Sequence, residues 1–296
     1  MAMHTPIPTR TAAKSEKVCT TTKPDIYMTV NSRQRQRNLL VLDLLQGSFT
    51  DDTKERQFLD LGCGTGDFTR DHFLPRCPKV ERLVAVDVSE EMVEYARKHF
   101  AHPMICYDVL DIAAKDVTEF VKRYGQFDRV YSFYCFNWTR DQEAGFRNIA
   151  ELLKPGGGCL LVFGASGSIM RLNQKLAAMD RWQKYRKMFD KTIPSSVDLV
   201  DQDALLSYLS GLLKNASLIP TTCEVLQVKH TCSSLEEATW MLMGMNCIST
   251  LVTEEEKPFL LEDVAEITAK WWAERDTGGS LFNAFEFLVR AHKPRL

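Results

Sequence analysis

Gly62-Cys63-Gly64-Thr65-Gly66 sets three glycines at alternate positions directly behind the apolar run Gln57–Leu61. Glycines at that spacing let backbone approach a ligand at a helix N-terminus, where N–H groups and the helix dipole favour negative charge. Asp60 stands just before the loop, and Asp87 ends the next apolar run, 21 positions beyond Gly66. A carboxylate placed there accepts hydrogen bonds from two ribose hydroxyls. Two cofactor classes use such a loop. A dinucleotide loop reads Gly-x-Gly-x-x-Gly, but its last slot is Asp67 here, and a negative side chain repels a pyrophosphate. Gly-x-Gly-x-Gly behind an acidic residue instead suits S-adenosylmethionine, which has no phosphate and whose ammonium group Asp60 can match. The loop alone is a weak signal. It gains specificity from Asp87, from Asp111 behind a third strand and from Lys154-Pro155-Gly156-Gly157 before a fifth. The bland alternative is an α/β protein with a vestigial loop.

The cofactor-binding set on this reading is Asp60, Gly62, Gly64 and Gly66, then Asp87, Val88 and Met92, then Asp111 and Ile112, and finally Phe133. Asp111 would accept from the adenine amino group with the Ile112 N–H beside it, and Asp108 is its rival. Met92 either lies against the adenine or simply packs its own helix. No metal-ligand cluster accompanies these residues: His99 and His102 are three apart but no thiolate or further histidine joins them.

These groups need a frame. Strand patterns at Gln57–Leu61, Leu83–Val88, Pro103–Asp111, Phe127–Phe133 and Cys159–Phe163 alternate with helical ones at Phe68–Leu74, Ser89–Phe100, Ala113–Tyr124 and Asp141–Leu153. Such alternation implies right-handed βαβ crossovers and a parallel sheet covered on both faces. Beyond Gly164 the rhythm changes to helices at Ile169–Phe189, Asp201–Lys214, Leu235–Asn246 and Glu254–Glu274, with strands at Thr222–Lys229 and Leu281–Ala291. The expected fold is Rossmann-like α/β: a mainly parallel seven-stranded sheet with its last strand antiparallel, helices on both faces, and a helical lid over the strands' C-terminal ends. Open α/β sheets bind ligands there. Residues 1–24, rich in Thr, Lys and Pro, read as a disordered lead-in, and 25–296 as one domain, with a cofactor core at 55–164 and the lid and terminal strands at 165–296. In the helical stretch Asn31–Gln46, Gln34 falls on the side of Val41 and Leu45, so its amide either meets core backbone or faces a site.

Composition excludes several classes. Lys and Arg number 37 against 39 Asp and Glu, a net charge of −2, so no diffuse positive field points to nucleic acid. No apolar run reaches bilayer length, and no secretory signal follows Met1. Nine scattered cysteines without a Cys-x-x-Cys pair point to a reducing compartment, the cytoplasm by default.

The string Ser132-Phe133-Tyr134-x-x-Asn137-Trp138-x-Arg140-Asp141-Gln142-Glu143-x-x-Phe146-Arg147-Asn148-Ile149 closely resembles the juvenile hormone acid methyltransferases. So do Tyr27-x-x-x-Asn31-Ser32-x-Gln34-Arg35-Gln36-Arg37, Asp60–Gly66, and Leu83-Val84-x-x-Asp87-x-Ser89-Glu90-Glu91-Met92-Val93-x-Tyr95-Ala96. The likeness is good over roughly Tyr27–Phe163 and holds in outline beyond. It implies a class I, S-adenosylmethionine-dependent methyltransferase that esterifies the carboxylate of farnesoic acid or juvenile hormone acid. By position, Gln34 and Trp138 would hold that carboxylate as the catalytic pair. The residue before the tryptophan, usually His in that family, is Asn137 here. Other readings remain open: methyl transfer to an amine, phenol or dicarboxylic acid, a nicotinamide oxidoreductase, which Asp67 disfavours, or a non-catalytic methyltransferase-like module. The absence of an Asp-Pro-Pro-Tyr tetrapeptide after the fourth strand argues against base or amide N-methylation.

Overall fold

Aliphatic residues dominate the strands that lie deepest. A computed structural model describes residues 23–45, 57–77, 80–199, 201–274 and 280–295; the first 22 residues of the expected lead-in lie outside the described residues. Strands β1 (Gln57–Leu61), β2 (Arg82–Asp87), β3 (Ile105–Val109), β4 (Phe127–Phe133), β5 (Leu153–Ser166), β6 (Ile219–Thr231) and β7 (Ser280–His292) form one sheet in the order β3-β2-β1-β4-β5-β7-β6. β1 to β5 pair in parallel, while β7 runs antiparallel to both β5 and β6. This is the expected mainly parallel, seven-stranded sheet with a reversed final strand. The strand order turns back between β1 and β4, which opens a crevice at their C-terminal ends.

Helices cover both faces, so β1, β2 and β4 read as near-continuous apolar runs rather than alternating ones. Ser89 caps α3 (Glu90–His99) by accepting from Met92 N, and Asp141 caps α5 (Gln142–Leu152) by accepting from Ala144 N. α4 (Thr118–Tyr124) and α8 (Gln202–Asn215) pack with α5 on one face of the sheet, over Val84 and Val86, while α3 packs on the other, against Ala85 and Tyr107. Helices α6 (Ser168–Ala177), α7 (Arg186–Thr192), α9 (Leu235–Gly244) and α10 (Lys257–Glu274) enclose a second apolar core of their own, built on Leu172, Trp182, Phe189, Leu242 and Leu260.

Several elements differ from the sequence expectation. The helix expected over Asn31–Gln46 is present as α2 (Ser32–Leu45), but a further helix, α1 (Pro24–Val30), precedes it and starts inside the stretch expected to be disordered. Pro24 suits that start because a first-turn residue needs no N–H partner. After β1 the chain makes a π-type turn at Thr69–Phe73 and a tight one at Leu74–Arg76, since Pro75 cannot continue a regular ladder. α4 begins at Thr118, five residues late. β5 begins at Leu153, opposite Phe127, and a bulge absorbs the Lys-Pro-Gly segment. The long helix expected over 169–189 breaks between α6 and α7, where a tighter turn at Asp180–Tyr185 drives Trp182 into the second core. There its indole N–H donates to Asp263 Oδ2 at 2.8 Å, so burial leaves no orphaned donor.

α2 is fastened to the sheet by charge. Arg37 donates to Glu286 Oε2 at 2.8 Å, and Glu286 is buried on β7, opposite Gly164 of β5. Removing one partner of a buried pair costs about 3–5 kcal/mol. Arg37 is a third exposed, so Arg37→Ala should cost nearer 2 kcal/mol by chemical denaturation, and Arg37→Ala combined with Glu286→Gln should recover part of it.

Candidate active site

The glycine loop is held by its own strand ends. Gly62 N and Cys63 N donate to Val86 O at 2.7 and 2.9 Å, and Gly64 N donates to Asp87 Oδ2 at 3.0 Å. Asp87 Oδ1 accepts from Ser89 N at 2.9 Å. Each carboxylate oxygen therefore retains acceptor capacity for a ligand hydroxyl. Burial raises the Asp87 pKa, and the backbone donors at Ser89 and Gly64 oppose the rise. Gly62, Gly64 and Gly66 all have positive φ. At two of them protein neighbours, rather than a ligand, forbid a side chain: a Cβ would come 2.5 Å from Cys135 Cβ at Gly62 and 2.7 Å from Ala96 Cβ at Gly66.

A cavity lies between this loop and the N-terminal helices. Its walls include Gln34, Arg35 and Asn38 of α2, Asp60 and Gly62 beside the loop, and Phe133 at the end of β4. Tyr27 of α1 closes it, with its ring over Gly64 and its hydroxyl hydrogen-bonded to the Gln34 side chain. Arg35 forms an ion pair with Asp67 and also donates to Asn31 Oδ1 at 3.0 Å. Thr65 Oγ1 donates to Asp67 Oδ1 at 2.5 Å. Asp67, the residue that occupies the dinucleotide glycine slot, thus ties α2 to the loop. Asp60 is buried and accepts from Thr69 Oγ1 at 2.6 Å; desolvation pushes its pKa up to about 7 against that hydrogen bond.

Gln34, Asp60, Gly62 and Phe133 therefore share one cavity, and Gly64 and Asp87 are bonded to each other beside it. Val88 is half-buried and Met92 buried just after β2, while exposed Asp111 and buried Ile112 follow β3 along the same edge. The Asp108 carboxylate is engaged by Arg123 and the Tyr124 hydroxyl, both at 2.8 Å. That of Asp111 accepts from Ala113 N in its own turn at 2.9 Å. Trp138 is not in this cavity's wall. It sits half-buried on the short turn Phe136–Trp138 and packs against the second core. Beside it, Asn137 Oδ1 accepts from Gly164 N at 3.1 Å, which ties the end of β4 to β5.

Sequence reasoning gave no site role to Arg35, although it stands in the family-like string, and missed Asn38. A signal existed: Tyr27, Asn31, Gln34 and Asn38 recur at helical spacing, a polar stripe beside the apolar one.

A family model described as a methyltransferase domain matches residues 58–157, from β1 into β5. Over that stretch the chain is similar to a methyltransferase domain, set in the Rossmann-like sheet described above. Over 180 residues it is 36% identical to juvenile hormone acid O-methyltransferase of Bombyx mori, covering 60% of this chain and 63% of that one. Over 163 residues it is 35% identical to the Drosophila melanogaster protein of the same name, covering 54% of each. These matches span between half and two thirds of the length of the curated relatives. Phosphoethanolamine N-methyltransferase 2 of Haemonchus contortus, solved in complex with S-adenosyl-L-methionine, shares the fold at a TM-score of 0.53. It is 17% identical over 93% of this chain and 57% of that one. The sequence resemblance and the fold class expected from it are both met.

Asp60 makes a sign-specific prediction. Its folded-state pKa is raised from 3.8 to about 7, so the protonated form is the one favoured in the folded protein. The stability it contributes is full below about pH 4 and is lost as pH rises through about 7. Between those limits wild type should lose stability relative to Asp60→Asn, by about 1.4 kcal/mol per pH unit where the slope is steepest, in denaturant titrations at pH 5 and 7.

Proposed function

We propose that this protein is a cytoplasmic S-adenosylmethionine-dependent O-methyltransferase that esterifies a small lipophilic carboxylic acid of the farnesoic or juvenile hormone acid type. The observation that carries the reading is that the Gln34 amide lines the same cavity as Asp60 and Gly62. The donor site fits the residues present. Asp87 has acceptor capacity for ribose hydroxyls, the Asp111 carboxylate is bonded to the Ala113 backbone N–H and keeps further acceptor sites, and the cavity holds polar atoms without partners among the described residues, including Asn38 Oδ1. In this reading Asp60 and the glycine loop hold the amino-acid end, Asp87 and Val88 the ribose, and Asp111, Ile112 and Met92 the adenine. Phe133 forms the wall toward the acceptor. The bound cofactor supplies a methyl group made electrophilic by a sulfonium.

An isolated carboxylic acid with a pKa of about 4–5 is ionised at neutral pH, so no residue here has to act as general base. The work left to the chain is alignment. Gln34 and the Trp138 indole N–H are neutral donors from two distant segments, and they orient one carboxylate oxygen without the full ion pair that a guanidinium would impose. Such positioning is worth several kcal/mol of barrier. The apolar second core, with Trp138 against it, keeps water from an encounter in which opposite charges cancel. The names of the insect relatives support an acid as acceptor.

Gln34→Ala and Trp138→Ala should each lower kcat by about 10- to 100-fold, the value of one or two lost hydrogen bonds to a charged acceptor, while S-adenosylhomocysteine affinity stays within about threefold. Near-normal turnover in either variant would count against the pair. A screen with labelled S-adenosylmethionine should favour farnesoic acid over shorter fatty and aromatic acids. Transfer to amines or phenols alone would defeat the reading.

A further inference from the structure

The cavity between α2 and the glycine loop carries one cation and one anion whose bonding capacity is only partly used. Arg35 spends one terminal nitrogen on Asp67 and Asn31, while its Nε is buried without a partner among the described residues. Asn38, 5% exposed and one helical turn further along α2, has its Oδ1 in the same condition. Asp60 is 2% exposed, and the donor described for it is the Thr69 hydroxyl, which leaves acceptor sites free. Buried polar atoms in a native site are normally satisfied, so this set describes the complement of its occupant. It calls for a group that accepts from a guanidinium and donates to a carboxylate and an amide oxygen within one small space. A simple carboxylic acid would satisfy Arg35 and leave Asp60 unmatched. A pyrophosphate would meet two carboxylates, Asp60 and Asp67. An α-amino-acid zwitterion answers both ends.

Resting on the proposed cofactor, we infer that Arg35, held in place by Asp67, receives the α-carboxylate of the cofactor's methionyl end, with Asn38 and Asp60 facing its ammonium. Asp67 is then a positioning residue. It cancels most of the Arg35 charge, orients the guanidinium edge, and links recognition of the cofactor tail to the closure of α2 over the loop. A planar, fork-shaped donor suits a carboxylate better than the point charge of a lysine would.

Isothermal titration with two probes tests this. S-adenosylhomocysteine carries the amino-acid end, and 5′-methylthioadenosine keeps the adenosine and sulfur without it. Arg35→Gln should weaken S-adenosylhomocysteine about 10- to 100-fold and leave methylthioadenosine within about twofold. Equal losses for both probes would reduce Arg35 to a structural tie and overturn the assignment. Unchanged S-adenosylhomocysteine affinity with a raised acceptor KM would overturn it too, by assigning Arg35 to the acceptor's carboxylate. Should Arg35→Gln not fold, the wild-type protein gives the same answer with the α-carboxyl methyl ester of S-adenosylhomocysteine: a 10- to 100-fold loss supports the assignment and equal affinity defeats it. A wild type that binds neither adenosine probe removes the cofactor reading itself, and this assignment with it.

Discussion

The ion pair between Asp67 and Arg35 sets how closely α2 stands to the glycine loop, and the polar geometry of the cavity depends on that spacing. α2 is short, and its sheet-facing side carries amides as well as aliphatics. Leu42 is fully buried, but Gln34, Arg35 and Asn38 face the cavity. Apolar contact alone would hold such a helix loosely, because the hydrophobic effect is non-directional. Two charge contacts supply direction: Asp67 binds Arg35 beside the loop, and Glu286 binds Arg37 on the far side of the sheet's reversal. Both acidic partners are buried, so each guanidinium is tethered to a rigid strand or loop end rather than to another mobile surface group. Ion pairs of this type contribute little net stability, yet losing one partner is costly, and that asymmetry specifies a single position for the helix.

That position completes a division of labour between two cores. The sheet core fixes the strand ends from which Asp60, Asp87 and Phe133 project. The second core, enclosed by α6, α7, α9 and α10, fixes the turn bearing Trp138. Asn137 connects the two by accepting from Gly164 N. In the proposed reaction the acceptor is already an anion. Such a reaction needs donors in register and a dry enclosure, not a proton acceptor of tuned pKa.

Much of this frame was legible from local pattern. β1, β2 and β4 are short aliphatic runs that end at glycine or aspartate, and burial on both faces makes such runs unmistakable. Ser89 and Asp141 sit where capping side chains belong, and both accept from the expected backbone N–H. Local pattern failed where partners are remote. Nothing within Ile169–Phe189 announces the break at Asp180–Tyr185, which exists so that Trp182 can reach Asp263, 81 positions away in the chain. Asp67 looked like an argument against one cofactor, whereas its partner is a residue 32 positions earlier.

The amino-acid sequence by itself determined the α/β rhythm, the glycine loop with its acidic neighbours and the class of domain they make, because these depend on periodicity, backbone conformation and residues close together in the chain. Only the tertiary structure decided that α2 closes the loop, that Arg35 and Asn38, each with a buried atom lacking a partner among the described residues, line the same cavity as Asp60, and that Trp138 packs against the second core. Each of those facts is a meeting of charges or apolar surfaces from segments far apart in sequence. Such meetings are set by how whole elements pack, and no local pattern encodes them.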